Sequence, residues 1–149
     1  MMPLASRTSQ ALIDIAILSL AYWFAFLLRF EGDLPKSMFK VLIISWPYLV
    51  GLKYLLMVRY GITKFSWRFI GLREINRIFM CLLGVSLGLV ALRLLTGAFV
   101  AMYPYMIYAL VPLGVIAIDF ILSFMGVSGV RTVRRLIAER ARTKKHQAE

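Results

Sequence analysis

Five ionisable residues lie in or at the edge of long apolar stretches of this sequence, namely Asp14, Arg29, Lys53, Arg93 and Asp119. Arg29 and Arg93 are predicted toward the outer face, where long side chains can reach the interface, which leaves Asp14, Lys53 and Asp119 as the candidates for an interior site. A charge at membrane depth is costly, and such residues usually line a proton or ion path or pair with one another. A path needs polar groups across the whole thickness, and the sequence places none in the middle of the stretches. We therefore favour an intramembrane polar cluster that fixes the helices against one another, over a transport path.

Position along the predicted helices indicates which partners are within reach. At about 1.5 Å per residue, Asp14 and Asp119 are predicted near the cytoplasmic ends of the first and fourth helices. Lys53 is predicted in the cytoplasmic half of the second helix. The two acids are therefore expected to lie within reach of Lys53, Arg59 or Arg77.

A second candidate site is the basic and aromatic segment 59–77, RYGITKFSWRFIGLREINR. Its apolar residues recur every three or four positions, which predicts a short amphipathic helix lying in the cytoplasmic headgroup layer. This helix is expected to contact a lipid headgroup or a soluble domain, although plain anchoring at the membrane surface explains it equally well. The predicted contact residues are Lys64, Trp67, Arg68, Arg73 and Arg77.

The composition determines the class of protein. Hydrophobic residues make up 61% of the 149 residues and charged residues 17%, whereas soluble domains have roughly 45–50% and about 25%. The net charge of +11 fits the excess of Lys and Arg in cytoplasmic loops better than a nucleic-acid surface. The single cysteine, Cys81, excludes a disulfide framework. The sequence predicts no catalytic, cofactor-binding or metal-ligating residues.

The apolar stretches predict an all-α fold, an integral membrane antiparallel four-helix bundle with the short interfacial helix between spans two and three. Pro47 and Pro112 lie inside the second and fourth predicted spans and are expected to kink them. The last two helices should be joined by fewer residues than the nine or so joining the first two. The predicted spans are 11–28, 38–58, 75–99 and 103–127, in a transmembrane domain 1–129 followed by a basic cytoplasmic tail helix 130–149.

Three local patterns together resemble the N-terminal membrane domain of the membrane-bound nucleotide-sugar 4,6-dehydratases of polysaccharide biosynthesis. They are AYWFAFLLRFEG at residues 21–32, WRF with GLRE and RI within residues 67–78, and IDFILSF at residues 118–124 followed by further arginines. The resemblance covers nearly the whole chain. In that family the bundle anchors a cytoplasmic Rossmann-type portion that binds NAD and dehydrates UDP-N-acetylglucosamine or a relative.

The resemblance implies a membrane anchor for a nucleotide-sugar-modifying enzyme, without a catalytic domain in this chain. The strand and Gly-rich loop expected after Arg142 are absent, so no catalytic or NAD-binding residue is carried over. The catalytic domain would be joined in a longer protein or bound in trans. Alternatives are the membrane portion of a polyprenyl-phosphate sugar-phosphate transferase, or a small lipid or solute transporter.

The basic middle loop and tail predict that both termini are cytoplasmic, in an integral protein of a bacterial inner membrane. The expected partners are the lipid bilayer, with an anionic or polyprenyl-phosphate lipid, and the cytoplasmic catalytic domain. Nucleic acid is not an expected partner. The sequence leaves the oligomeric state open.

Overall fold

The computed structural model describes residues 4–62, 71–97, 102–105 and 110–147. Within these ranges the chain forms four long α-helices that account for nearly all of the described residues. They are α1 (Leu4–Arg29), α2 (Lys36–Arg59), α3 (Leu72–Gly97) and α4 (Leu113–Gln147).

Each helix contains a stretch that is long and apolar enough to cross a membrane. An α-helix needs about 20 residues to cross roughly 30 Å of hydrocarbon, and these stretches have 22 to 26 residues. At most 39% of the most apolar part of each stretch is buried inside the bundle. Large side chains such as Leu20, Leu55 and Leu87 point outward, as a lipid-facing surface requires. The prediction of an integral membrane protein with four spans is confirmed at this level.

Two buried clusters show that consecutive helices run antiparallel. One cluster joins Phe26, Leu42, Val85 and Val115, from the second half of α1, the first half of α2, the second half of α3 and the start of α4. We call this the hairpin end, because the α1–α2 and α3–α4 connections lie there. The other cluster lies farther from these connections along each helix, toward the chain termini, and we call it the terminal end. Its fully buried members include Leu18, Met57, Ile78 and Val127.

The helices follow one another around the bundle. α1 packs on α2 and α4, and α3 packs on α2 and α4. Among the described residues, α2 and α4 therefore lie across the bundle from each other instead of side by side. This arrangement matters for the polar groups, because a contact between α2 and α4 must cross the interior.

Left-handed backbone turns end the first two helices. Gly32 follows α1 with φ +85°, and its amide donates to the carbonyl of Leu27 at 2.9 Å. Gly61 follows α2 with φ +69°, and the amide of Ile62 donates to the carbonyl of Met57 at 3.0 Å. Glycine adopts this conformation without the steric cost of a side chain, and the bonds satisfy carbonyls at the helix end.

The fourth helix begins later than the sequence predicts. Residues 103–112 were expected inside the span, but α4 begins at Leu113, so Pro112 does not kink it. Pro112 instead precedes the helix, and its carbonyl accepts the amide of Ile116 at 3.1 Å. Proline disfavours a helical conformation in the residue before it, which explains the boundary. Because α3 ends at Gly97, more residues separate the two helices than the sequence predicted. Pro47 does lie inside α2.

The predicted basic tail helix is the continuation of α4. α4 continues without a break from Leu113 to Gln147, a single helix of 35 residues. The predicted interfacial helix is not seen between α2 and α3 in the part of the chain that the structure describes. Residues 63–70 lie outside the described ranges, and Leu72–Arg77 forms the first turns of α3.

Candidate functional site

A closed set of three polar side chains lies in the interior, and we call it the central polar cluster. The Lys53 ammonium is hydrogen-bonded to Asp119 Oδ2 and donates to Ser123 Oγ at 3.1 Å. The Ser123 hydroxyl donates to the other carboxylate oxygen, Asp119 Oδ1, at 3.2 Å. The exposed fractions of the three residues are 1%, 1% and 0%. Each member therefore contacts both of the others, out of reach of solvent.

The central polar cluster lies where the two apolar clusters meet. Leu49 and Ile116 belong to the hairpin end, whereas Met57 and Val127 belong to the terminal end. Lys53 lies between Leu49 and Met57 along α2. Asp119 lies between Ile116 and Val127 along α4. The expectation that nothing polar occupies the middle of the bundle is therefore wrong.

The ion pair joins Asp119 to Lys53, one of its predicted partners, but the position of Asp119 along α4 differs from the prediction. The carboxylate lies only six residues after Leu113, so it is nearer to the hairpin end of α4 than to its other end. The error follows from starting the fourth helix ten residues too early. Lys53 reaches this carboxylate across the bundle with its long, flexible side chain, which connects two helices that do not lie side by side.

Asp14 does not join the central cluster, and its partner is an arginine of α4. Arg131 Nη2 donates to Asp14 Oδ2 at 3.1 Å, and Arg131 Nη1 donates to the carbonyl of Ile62 at 2.9 Å. The guanidinium thereby connects the first half of α1, the turn after α2, and α4. The exposed fractions of the two side chains are 19% for Arg131 and 10% for Asp14. This terminal-end pair is thus partly accessible.

Polar contacts at the hairpin end connect neighbouring elements. The Tyr22 hydroxyl is hydrogen-bonded to Ser45 Oγ, which joins α1 to α2 inside the apolar cluster. Arg93 Nη1 donates to the carbonyl of Val111 at 2.7 Å, which joins the end of α3 to the segment before α4. Arg29 lies against Gly114, where an added Cβ would fall 2.6 Å from Arg29 Nε. The absence of a side chain at Gly114 is what makes room for the arginine.

Only two of the five residues predicted to contact a headgroup or a soluble domain lie among the described residues. Lys64, Trp67 and Arg68 lie outside the described residues. Arg73 and Arg77 are exposed on the first two turns of α3. Whether these side chains contact a headgroup or a domain stays a prediction.

Sequence reasoning missed two members of the polar clusters. Ser123 is four residues after Asp119, and residues with that spacing share a helix face, so it was detectable as a partner. Arg131 was counted only among the basic residues of the tail. Its distance of 17 residues from Gly114 places it about 25 Å along the helix, level with Asp14 in the first half of α1.

These groups form ion pairs and hydrogen bonds between helices. Among the residues that the structure describes, there is no group of three or more His, Cys, Asp or Glu side chains that could hold a metal ion. In the same ranges, Ser128 Oγ is the one buried side-chain polar atom without a hydrogen-bond partner. The arrangement can hold helices in register and exclude water between them.

Comparison with known proteins identifies no relative. No family model, curated protein or solved structure matches the chain.

Proposed function

We propose that this chain is a membrane anchor, which holds a nucleotide-sugar-modifying enzyme of polysaccharide or glycan biosynthesis at one face of the membrane. The observation that carries the proposal is the continuity of α4 from the central polar cluster to Gln147. Its 35 residues extend for about 52 Å, which exceeds a hydrocarbon thickness of roughly 30 Å. The same rigid element is therefore fixed inside the bundle and projects about 20 Å beyond the lipid.

The closed polar contacts support an anchor over a transporter. A transport path requires polar groups that solvent or substrate can reach in sequence across the membrane. Lys53, Asp119 and Ser123 satisfy one another and are almost completely buried. Such a cluster keeps α2 and α4 in one relative position, which a docking platform needs and a moving carrier does not.

The choice of enzyme rests on the local sequence resemblance to the membrane-bound nucleotide-sugar 4,6-dehydratases. The basic terminal end, predicted to be cytoplasmic, would face the catalytic domain, whether that domain belongs to the same protein or binds in trans. NAD and the sugar nucleotide would both bind in that domain.

The experiment removes the coding region of residues 1–147 from the encoding genome and fractionates the cells. NAD-dependent conversion of UDP-N-acetylglucosamine should move from the membrane fraction to the soluble fraction, with the total activity largely retained. A matched strain carries Ser37→Ala at the exposed start of α2 and should keep the activity in the membrane fraction. Membrane-bound activity that survives the deletion would contradict the proposal. Uptake of substrate into liposomes containing the purified chain would favour the transporter instead.

A further inference from the structure

The first turns of α3 present two arginines on its outward face. Arg73 and Arg77 are four residues apart and therefore lie on one side of the helix, and both are exposed. The buried side chains of α3, such as Ile78 and Leu82, belong to the opposite side. Met80 and Leu87, with exposed fractions of 55% and 59%, continue the outward face toward the middle of the span. The arginines thus begin a lipid-facing surface.

The depth of these arginines matches the headgroup layer. The candidate span Leu72–Gly97 has 26 residues, about 39 Å of helix, whereas the hydrocarbon core is roughly 30 Å thick. In an upright helix the excess of about 9 Å lies in the interfacial layers. Arg73 and Arg77 are within about 8 Å of the beginning of the helix. This is the layer in which the phosphate groups of phospholipids lie.

The charge balance at the terminal end favours an anion as the partner. Arg131 engages Asp14, and Arg135 engages Glu139 at 2.8 Å, so α4 neutralises two acids of this end with its own arginines. The remaining described acid there is Glu74, which is half-buried and interacts electrostatically with Arg77 and Arg131, so one acid faces the two positive charges of Arg73 and Arg77 on α3. Arginine suits a phosphate partner because its planar guanidinium donates two parallel hydrogen bonds to phosphate oxygens.

The surface below the arginines is open to an acyl chain. Gly84 and Gly88 follow on the exposed part of α3, and nothing described lies within 4 Å of a Cβ built on either residue. A soluble acidic domain would meet this apolar surface only by entering the bilayer. From the membrane surface inward, a phospholipid presents first a phosphate and then an acyl chain. In the same direction α3 presents first the two arginines and then its apolar outward face.

We propose that Arg73 and Arg77 bind the phosphate group of an anionic bilayer phospholipid, whose acyl chain lies along the outward face of α3. The partner is a lipid of the surrounding membrane with net negative charge, held in preference to a zwitterionic one. This proposal does not depend on the anchor function.

The test uses the full chain in detergent, titrated with phosphatidylglycerol or with phosphatidylcholine and followed by native mass spectrometry. Near an anionic membrane each basic residue contributes on the order of 1 kcal/mol, so we expect Arg73→Gln/Arg77→Gln to weaken phosphatidylglycerol binding by about fivefold or more. Phosphatidylcholine binding should stay unchanged. The matched control is Lys36→Gln/Lys40→Gln, another exposed pair four residues apart, on the start of α2 at the hairpin end. It should alter phosphatidylglycerol binding by less than about twofold.

A conservative variant separates the arginine chemistry from charge and from folding. Arg73→Lys/Arg77→Lys keeps both charges but loses the paired hydrogen bonds, and its affinity should fall between those of the wild type and the glutamine variant. Equal binding of phosphatidylglycerol by the wild type and a folded glutamine variant would overturn the proposal. So would equal affinity for the two lipids, or an effect of the substitutions on self-association or on binding of an acidic protein without an effect on lipid.

Discussion

The central polar cluster and the Asp14–Arg131 pair both contain an ion pair between helices that are far apart in the sequence, but their surroundings differ. Lys53 and Asp119 have side-chain exposures of 1% and 2%, whereas Arg131 and Asp14 have 19% and 10%. Water can replace a lost partner at the terminal end but not in the interior. The comparison shows that an ion pair between helices can fix their relative position in the buried interior, as Lys53–Asp119 does. It can also join helices at a partly exposed end of the bundle, as Asp14–Arg131 does.

The largest effect is expected when one partner of the central cluster is removed. Asp119→Asn or Lys53→Met leaves a buried charge without its counterion, which costs about 3–5 kcal/mol. The free energy of unfolding can be measured by titrating the detergent-solubilised chain with sodium dodecyl sulfate while following helix content. Ser123→Ala is the control, because it removes one neutral hydrogen-bonding group and should cost about 1 kcal/mol. A smaller loss for Asp119→Asn than for Ser123→Ala would contradict the proposed lock.

A second prediction concerns the packing of α4 between the two ion pairs. A Cβ added at Gly126 would lie 2.7 Å from Ile17 Cγ2, whereas one added at Gly84 would meet nothing within 4 Å. Gly126→Ala should therefore destabilise the bundle by about 1–3 kcal/mol through overpacking. Gly84→Ala should be neutral or stabilising by up to about 1 kcal/mol, since alanine favours helix more than glycine does. Equal effects of the two substitutions in the same unfolding titration would show that α1 and α4 are loosely packed here.

Removing the terminal-end pair should cost less than removing the central one. Arg131→Gln loses a partly exposed ion pair, for which about 1 kcal/mol is the expected scale. The difference from wild type should shrink in 1 M salt, where charges are screened over about 3 Å. The difference for Asp119→Asn should change little with salt because that site is buried. Unfolding titrations at low and high salt compare the two, and an equal salt response would remove the distinction between the sites.

The smallest effect is expected at the exposed end of α4. Arg135 and Glu139 form a pair four residues apart, with side-chain exposures of 42% and 54%. Pairs of this kind contribute about 0.3–0.5 kcal/mol, and the order with the acid toward the C-terminus is the less favourable one. Arg135→Gln should therefore leave the free energy of unfolding within about 0.5 kcal/mol of wild type. A loss as large as that of Arg131→Gln would indicate a tertiary role for Arg135.

The fold could be predicted largely because apolar length is a direct physical requirement for crossing a membrane. Four stretches of sufficient length produced four helices, and Pro47 lies inside α2 as its sequence position indicated. The start of α4 was missed because residues 103–112 are nearly as apolar as the helix that follows. Apolar composition indicates burial or lipid contact but does not determine the backbone conformation. The start of α4 is explained by the conformational restriction that Pro112 imposes on the residue before it.

The polar contacts were harder to predict, because they depend on helix order around the bundle and on relative depth. Asp119 was assigned the wrong depth once the helix start was misplaced. The partner of Asp14 was missed because Arg131 had already been explained as a topology signal. Arg131 can be both a topology signal and the partner of Asp14. The second role becomes visible only from the packing of α1 against α4.

The most direct test of the internal lock is a double-mutant cycle at Lys53 and Asp119. Lys53→Met and Asp119→Leu are measured singly and together in the same unfolding titration. If the ion pair locks α2 to α4, each single change leaves a buried group unpaired and the double variant regains most of the loss. The coupling free energy should then be at least about 2 kcal/mol. Additive losses, with a coupling free energy near zero, would contradict the lock.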